Sequence, residues 1–422
     1  MNLNRFCHVG MGRTVMWMTV VVLLTVIAAP STAQKKVASP ATQSEIDQAI
    51  DRGVRWLVAT QEVDGGWKGP HPHGFQSGMT GLAVYTLLKT GMPADHRVIR
   101  KGLAFMNSKP CALTYEVGTN LLAYSAIPKS ARPKKRVRAL TELLISTIDP
   151  DGWRYNRSSN NMVDLSNGQY AILGLRAAVA MGEKVPVVIW EQAAETFMRL
   201  QGHYGDWCYT PKGDWADAGM TSAGIFCLAA CHEQLKDRKK SKRIAHKIKG
   251  RIDLGLSWFE KNWSVEKNTI QPTKKDARGR WLYHYLYGLE RVAALTRSDL
   301  IGGHDWYGEG ATWLVKKQGA RGLWGTAYGE YDVNSCLALL FLARGTNSTS
   351  TKGRKRSPVD GKATETLTIR TNGQNPMIAW IMKLDKKVKD RLDLGEKVVS
   401  LVWDVNGKEV HRVAVGESLA IR

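Results

Sequence analysis

The chain is poor in cysteine, with 6 in 422 residues, and no two stand in a Cys-x-x-Cys pair. Nothing therefore points to a disulfide-stapled fold, and a domain of this size does not need one. Cys7 lies in the extreme N-terminal segment. The other five, Cys111, Cys208, Cys227, Cys231 and Cys336, are an odd number, so at least one is unpaired within the chain. Cys227 and Cys231 stand one helical turn apart in an apolar run and read as small buried residues rather than metal ligands. Acidic residues are also scarce, 38 against 60 Lys plus Arg, for a formal charge of +22. The excess is bunched at Arg132–Arg138, Lys236–Arg251 and Lys352–Arg356. Such runs suit anionic lipid, acidic polysaccharide or nucleic acid. No aromatic residues interleave with them, so they read first as a solvated surface around loops.

Long hydrophobic runs are confined to the N-terminus. After Arg5 and Arg13 an apolar stretch covers Val15–Ala29, and Pro30-Ser31-Thr32-Ala33 follows it. The run is short for a span, which needs about 20 residues. Small residues at Ser31 and Ala33 fit a signal peptide over 1–33 cut after Ala33, with an uncleaved anchor as the alternative. Export to the periplasm or cell envelope is thus expected, and nucleic acid is not an expected partner.

What is present is a repeat. Ile46, Ala49, Ile50, Gly53, Val54, Leu57 and Val58 form an apolar stripe with Glu45, Asp47, Asp51 and Arg52 off it, the pattern of an amphipathic helix. A turn ending in Asp64-Gly65-Gly66-Trp67 follows. Then comes Met79–Leu88, apolar or small nearly all round and so buried on every side. The sentence recurs at Glu191–Leu228 and Ala311–Leu340. Gln precedes Trp by six residues each time: Gln61 and Trp67, Gln201 and Trp207, Gln318 and Trp324. A fourth copy keeps Trp153 but has Thr147 in place of Gln, and two more, near Val98–Ala123 and Ile252–Tyr287, are degenerate. Six hairpins result, with outer helices beginning near residues 45, 95, 133, 187, 251 and 305. Alternating amphipathic and wholly apolar helices predict two concentric layers, and a ring of six needs no capping repeat. The indole is expected to fill the gap between hairpins, while Gln bonds orphan groups at a helix end.

The ring is expected over 45–345, after a linker over 34–44 and before a basic Ser/Thr/Lys linker over 346–365. A small β-rich module over 366–422 follows, with strands at Thr366–Thr371, Val398–Val405 and Glu409–Val415 and a hairpin at Asn406-Gly407. The fold class is all-α, an α/α toroid of six hairpins with a β-rich extension.

The Gln-x5-Trp turns and their apolar partner helices resemble the terpenoid cyclase and protein prenyltransferase superfamily, in particular exported single-toroid proteins similar to squalene–hopene cyclases. The resemblance implies an Asp-x-Asp-Asp acid opening an inner helix. Asp164 matches the first aspartate, but Ser166 and Asn167 stand where the second and third would be, and neither protonates an alkene. The prenyltransferase zinc set, Asp-x-Cys and a later His, is not matched: Ser166, Gly219 and Asn334 follow Asp164, Asp217 and Asp332. Cys336 shares a helix face with Asp332, and His284 or His304 would have to complete that set, so neither metal nor cofactor is expected. The thioester domains that share this ring shape need Cys-Gly-Glu-Gln, which the sequence lacks.

Asp164, Asp217 and Asp332 occupy equivalent places at inner-helix starts. They read as N-caps, or as carboxylates gathered at one mouth that act as acid and base on a sugar. Tyr170, Trp281, Tyr283, His284 and Tyr285 are the aromatic candidates for substrate contact, with core packing as the plainer reading. Tyr283 and Tyr287 share one helix face, Trp281 and Tyr285 another, so at most one pair can face a cavity. The sequence thus points to a toroid without cyclase acid or zinc ligands, binding a ligand or partner at the envelope. An isoprenoid lipid, an acidic glycan or an envelope protein fits, as does membrane association through the basic rim or an uncleaved anchor. The alternative is an enzyme acting on an isoprenoid or a carbohydrate through its inner-helix carboxylates.

Overall fold

A computed structural model describes residues 39–68, 75–156, 163–213, 215–271, 281–325, 331–346, 369–370, 401–405 and 408–413. The chain falls into two compact units, Met1–Ser39 and Pro40–Arg422. The first lies, but for Ser39, outside the described residues, and with it the expected signal peptide over 1–33 and the start of the linker over 34–44.

In the second unit twelve described helices pair into six hairpins. The outer layer is α1 (Gln43–Ala59), α3 (Arg97–Ser108), α5 (Lys134–Ser146), α7 (Val187–Leu200), α9 (Lys242–Trp258) and α11 (Trp306–Lys317). The inner layer is α2 (Gln76–Lys89), α4 (Thr114–Ser125), α6 (Leu165–Ala180), α8 (Ala218–Leu235), α10 (Leu282–Thr296) and α12 (Tyr331–Ala343). Each inner helix packs on the next, and α12 returns to α2, closing an α/α toroid. Because an outer helix separates every two inner ones, all six inner helices run the same way and begin on one rim. The layers have the expected textures. α1 starts at a Thr42–Glu45 capping box and buries the stripe from Ile46 to Leu57, with Val58 only partly covered. α2 is buried continuously from Ser77 to Leu87.

The Gln–Trp turns are seams between neighbouring hairpins. Trp67 Nε1 donates to Leu57 O at 2.8 Å, Trp207 to Phe197 O at 2.9 Å and Trp324 to Leu314 O at 2.9 Å. The indoles lie beside Gly102, Gly255 and Gly53, where no side chain blocks the neighbouring outer helix. The glutamines do not cap orphan groups, as the sequence suggested. Each donates to the glycine carbonyl of its own turn and to a carbonyl inside the next outer helix: Gln61 to Val98, Gln201 to Arg251, Gln318 to Ala49. A carbonyl has two lone pairs, so a helical one can accept this second bond. The turn glycines Gly65, Gly205 and Gly322 have φ of +92, +89 and +90°, and each faces a backbone carbonyl of that helix closely. The Gln318 bond to Ala49 closes the ring. Where Thr147 replaces Gln, the next outer helix answers instead: Gln192 of α7 donates to Asp149 O at 3.1 Å.

The fifth outer helix begins at Lys242, not near residue 251. The run Lys236–Arg251, read as surrounding loops, is largely the exposed face of α9, which buries Ala245, Ile248, Ile252, Gly255 and Trp258. Helical spacing of those apolar residues was present beneath the charge. Two short strands, β1 (Ala216–Asp217) and β2 (Ile270–Gln271), pair antiparallel at the entrance to α8. Near the C-terminus, β3 (Ile369–Arg370) pairs parallel with β4 (Leu401–Val405), which pairs antiparallel with β5 (Lys408–Val413). Asn406 and Gly407 lie outside the described residues, as do 347–368. No described helix is long and apolar enough to cross a membrane.

Candidate functional site

On the rim where the inner helices begin, aromatic residues from four hairpins meet. Tyr115, at the start of α4, stacks on Tyr155 with centroids 5.8 Å apart and lies against Tyr170 of α6 at 4.4 Å. Phe75 meets Tyr115 and Tyr155 edge-on at 6.0 and 6.1 Å. The Tyr155 and Tyr209 hydroxyls are 3.2 Å apart. Tyr170 is buried at the floor of this cup, Phe75, Tyr115 and Tyr155 are half-buried, and Tyr209 is exposed. Backbone bonds fix the cup: Thr114 N donates to Tyr155 O at 2.8 Å, and Leu165 N to Tyr209 O at 2.9 Å. Phe75 precedes α2 with φ of +63°, a left-handed conformation that costs a bulky residue roughly 1–3 kcal/mol and holds its ring at the rim.

Asp164 lies beneath the cup, 3% exposed. As N-cap of α6 it accepts from Ser166 Oγ at 2.6 Å, Asn167 N at 2.7 Å and Asn167 Nδ2 at 2.7 Å. Burial pushes its carboxyl above the usual range, while those donors and Tyr209 hold it down. Both oxygens are engaged, so its local role is that of a cap that ties the cup to α6.

The other two aspartates are placed differently. Asp217 caps α8 through Met220 N at 2.7 Å, and burial raises its carboxyl against bonds from Met220, Asn268 and Gly219. Asp332 is not a cap: it is the second residue of α12. Burial pushes its carboxyl up to about 6, and nearby Glu62 adds to this, while a bond with Thr60 and the charge of Lys68 oppose it. No hydrogen-bond partner is common to any two of the three in these interactions. They form three separate placements rather than a triad, because each carboxylate turns onto its own helix start or the adjoining turn.

The aromatic candidates on α10 divide as well. Tyr285 is fully buried and stacks on Phe259 at 6.2 Å, and thus faces the outer layer rather than a ligand. Tyr283 is buried near Trp313, its hydroxyl 3.4 Å from Gly325 O. Trp281 is 51% exposed at the rim and meets His284 edge-on at 5.4 Å. Burial, with the charge of Arg291, pushes the His284 ring down to about 4, so it is neutral at pH 7. His304 stacks on Trp263 at 4.7 Å, and Cys336 is wholly buried with its thiol pushed up by burial. Sequence reasoning reached Tyr170 but missed Phe75, Tyr115, Tyr155 and Tyr209. Phe75 and Tyr115 stand beside the starts of α2 and α4, whereas Tyr155 and Tyr209 lie in the turns well before α6 and α8 and carried no such signal.

This ring is an α/α toroid, and solved structures share it. An inactive variant of an α-1,6-mannanase of Salegentibacter sp., in complex with α-1,6-mannotriose, matches with a TM-score of 0.51 at 10% identity, over 72% of this chain and 99% of that one. A possible GH105 family member from Klebsiella pneumoniae matches with a TM-score of 0.51 at 13% identity, over 78% of this chain and 100% of that one. A type II terpene cyclase from Scytonema matches with a TM-score of 0.46 at 14% identity, over 72% and 98%. Neither a protein-family model nor a curated protein matches the chain. At such identities the likeness speaks for the α/α-toroid ring alone and leaves the chemistry to the chain's own residues.

Proposed function

We propose that the protein is a non-cyclising toroid that binds a glycan in the rim cup of Phe75, Tyr115, Tyr155, Tyr170 and Tyr209, at the cell envelope. The observation that carries this reading is the cup itself: stacked phenol rings present apolar faces with hydroxyls at their edges, the chemistry a sugar ring offers in return. An isoprenoid would be poorly served by a lining that sets Asp164, Ser166 and Asn167 under the rings. Cyclase chemistry by protonation also lacks its donor, since Ser166 and Asn167 bond Asp164 instead of supplying an acid. The envelope setting follows from the signal-like N-terminus, and the basic outer face of α9 suits an anionic surface there.

A second reading, hydrolysis of the bound glycan, is favoured by one observation. Burial raises the Asp332 carboxyl to about 6, with the charge of Glu62 adding to this, so it can hold a proton close to neutral pH as a general acid does. One experiment separates the two. The full chain is incubated with envelope glycan and lipid extracts, and whatever is retained is identified by mass spectrometry. Retention of an unchanged glycan by wild type and its loss in Tyr155→Ala are expected. Turnover abolished by Asp332→Asn, with retention intact, would establish the enzymatic reading, and retention of lipid alone would overturn both.

A further inference from the structure

Arg291 lies in the middle of α10 and is 2% exposed. Its Nη2 donates to Gln169 Oε1 of α6 at 2.8 Å, and its Nε to Tyr287 O at 3.3 Å. Nη1 is buried and has no partner among the described residues. No described carboxylate forms an ion pair with the guanidinium. The adjacent Glu290 is committed elsewhere: Oε1 accepts from Thr346 N at 2.9 Å and Oε2 from Thr346 Oγ1 at 2.7 Å. The rings of Phe226 and Tyr287 lie 5.0 and 4.6 Å from the guanidinium carbon, which attracts the cation without neutralising it. A buried charge is costly unless it is paired and its donors are used. Here half the fork is free.

His284, Gly288 and Arg291 lie along one face of α10, which begins at the rim. His284 and Arg291 are seven residues apart, two helical turns or about 10 Å along the axis. His284 is half-buried, and exposed Trp281 stands just before it at the rim. Between His284 and Arg291, Gly288 contributes no side chain to that face; α8 brings Ser222 against it.

We infer that Arg291 anchors an interior oxyanion site, taking the carboxylate or phosphate of a small ligand that enters past His284. Gln169 fixes the orientation of the fork, and Nη1 supplies the donor left for the anion. A planar guanidinium suits either group, and the two have this recognition chemistry in common. The inference does not rest on the glycan reading, because the cup and this arginine respond to different variants.

The test is calorimetric titration of the full chain with sodium glucuronate in one arm and inorganic phosphate in the other. Ionic strength is held constant so that the surface runs are screened. Saturable binding of one of them is expected, weakened at least about tenfold in Arg291→Gln and unchanged in Lys135→Ala. Binding that Arg291→Gln leaves intact, or no saturable binding in either arm, overturns the site. A second readout needs no change at Arg291. In wild-type protein, NMR titration of the His284 ring, assigned with His284→Gln, is expected to move upward when the anion offsets the guanidinium charge. A His284 titration that neither anion moves overturns the inference, whatever the folding of the variant.

Discussion

The seams and the rim use the same residue types to opposite ends. In the seams each indole is wholly buried, its N–H satisfied by a carbonyl of its own outer helix, and its edge fitted to a glycine of the next. Three seams repeat this geometry almost atom for atom, and the fourth restores it by exchanging which side supplies the glutamine. At the rim the aromatics range from buried Tyr170 through half-buried Phe75, Tyr115 and Tyr155 to exposed Tyr209 and Trp281, differ from hairpin to hairpin, and include Phe75 and Trp281 in left-handed backbone. Where the seam repeats, its polar groups are satisfied within the ring and nothing is left over for a ligand. Departure from the repeat, at a strained and partly exposed place, is where a ring has been adapted to something outside itself.

The largest expected effect lies in the seams. Trp207→Ala removes a fully buried indole and should cost about 3–5 kcal/mol in urea unfolding, while any ligand retained by the folded protein is unchanged. A ligand defect larger than the unfolded fraction explains would blur the distinction between seam and rim.

Glu290 offers a pH handle at the end of the ring. Its carboxyl is raised by burial from 4.5 to about 7, with the Thr346 bonds, Arg291 and Lys89 opposing. The folded state therefore holds this proton more tightly than the unfolded chain. Stability associated with it is present below about pH 4.5 and is lost as pH rises through about 7, a swing of ~3 kcal/mol. Glu290→Gln should abolish that swing in denaturation curves compared at pH 5 and pH 8, and an unchanged pH dependence would contradict it. A smaller loss, about 1–3 kcal/mol, is expected from Gln318→Ala, which frees the ring-closing carbonyls of Ala49 and Gly322. The smallest belongs to the basic face of α9. Lys247→Ala and Lys249→Ala, both exposed, should each stay within about 0.5 kcal/mol of wild type in the same assay.

The ring was legible in the sequence because closure imposes a period. Gln and Trp at a fixed interval, a stripe such as Ile46–Leu57, and wholly apolar partners such as Met79–Leu88 are each forced by where the helix sits. The start of α9 was hidden because Lys and Arg crowd its exposed face and mask the spacing of Ala245, Ile248 and Ile252. The cup was not legible, since Phe75, Tyr115, Tyr155 and Tyr209 are far apart in sequence and meet only through ring geometry. Glu290 and Arg291 did leave a signal: two charges inside the otherwise apolar Leu286–Ala293 of an inner helix, where charge is rarely buried without a purpose.

The most direct test of the central claim is the affinity of the full chain for an envelope oligosaccharide, measured by titration for wild type, Tyr155→Ala and Trp324→Phe. Tyr155→Ala is expected to weaken binding at least about tenfold with little change in stability, while Trp324→Phe lowers stability and leaves the affinity of the folded protein as it was. Equal affinity in wild type and Tyr155→Ala, or loss of binding through the seam variant alone, would contradict it.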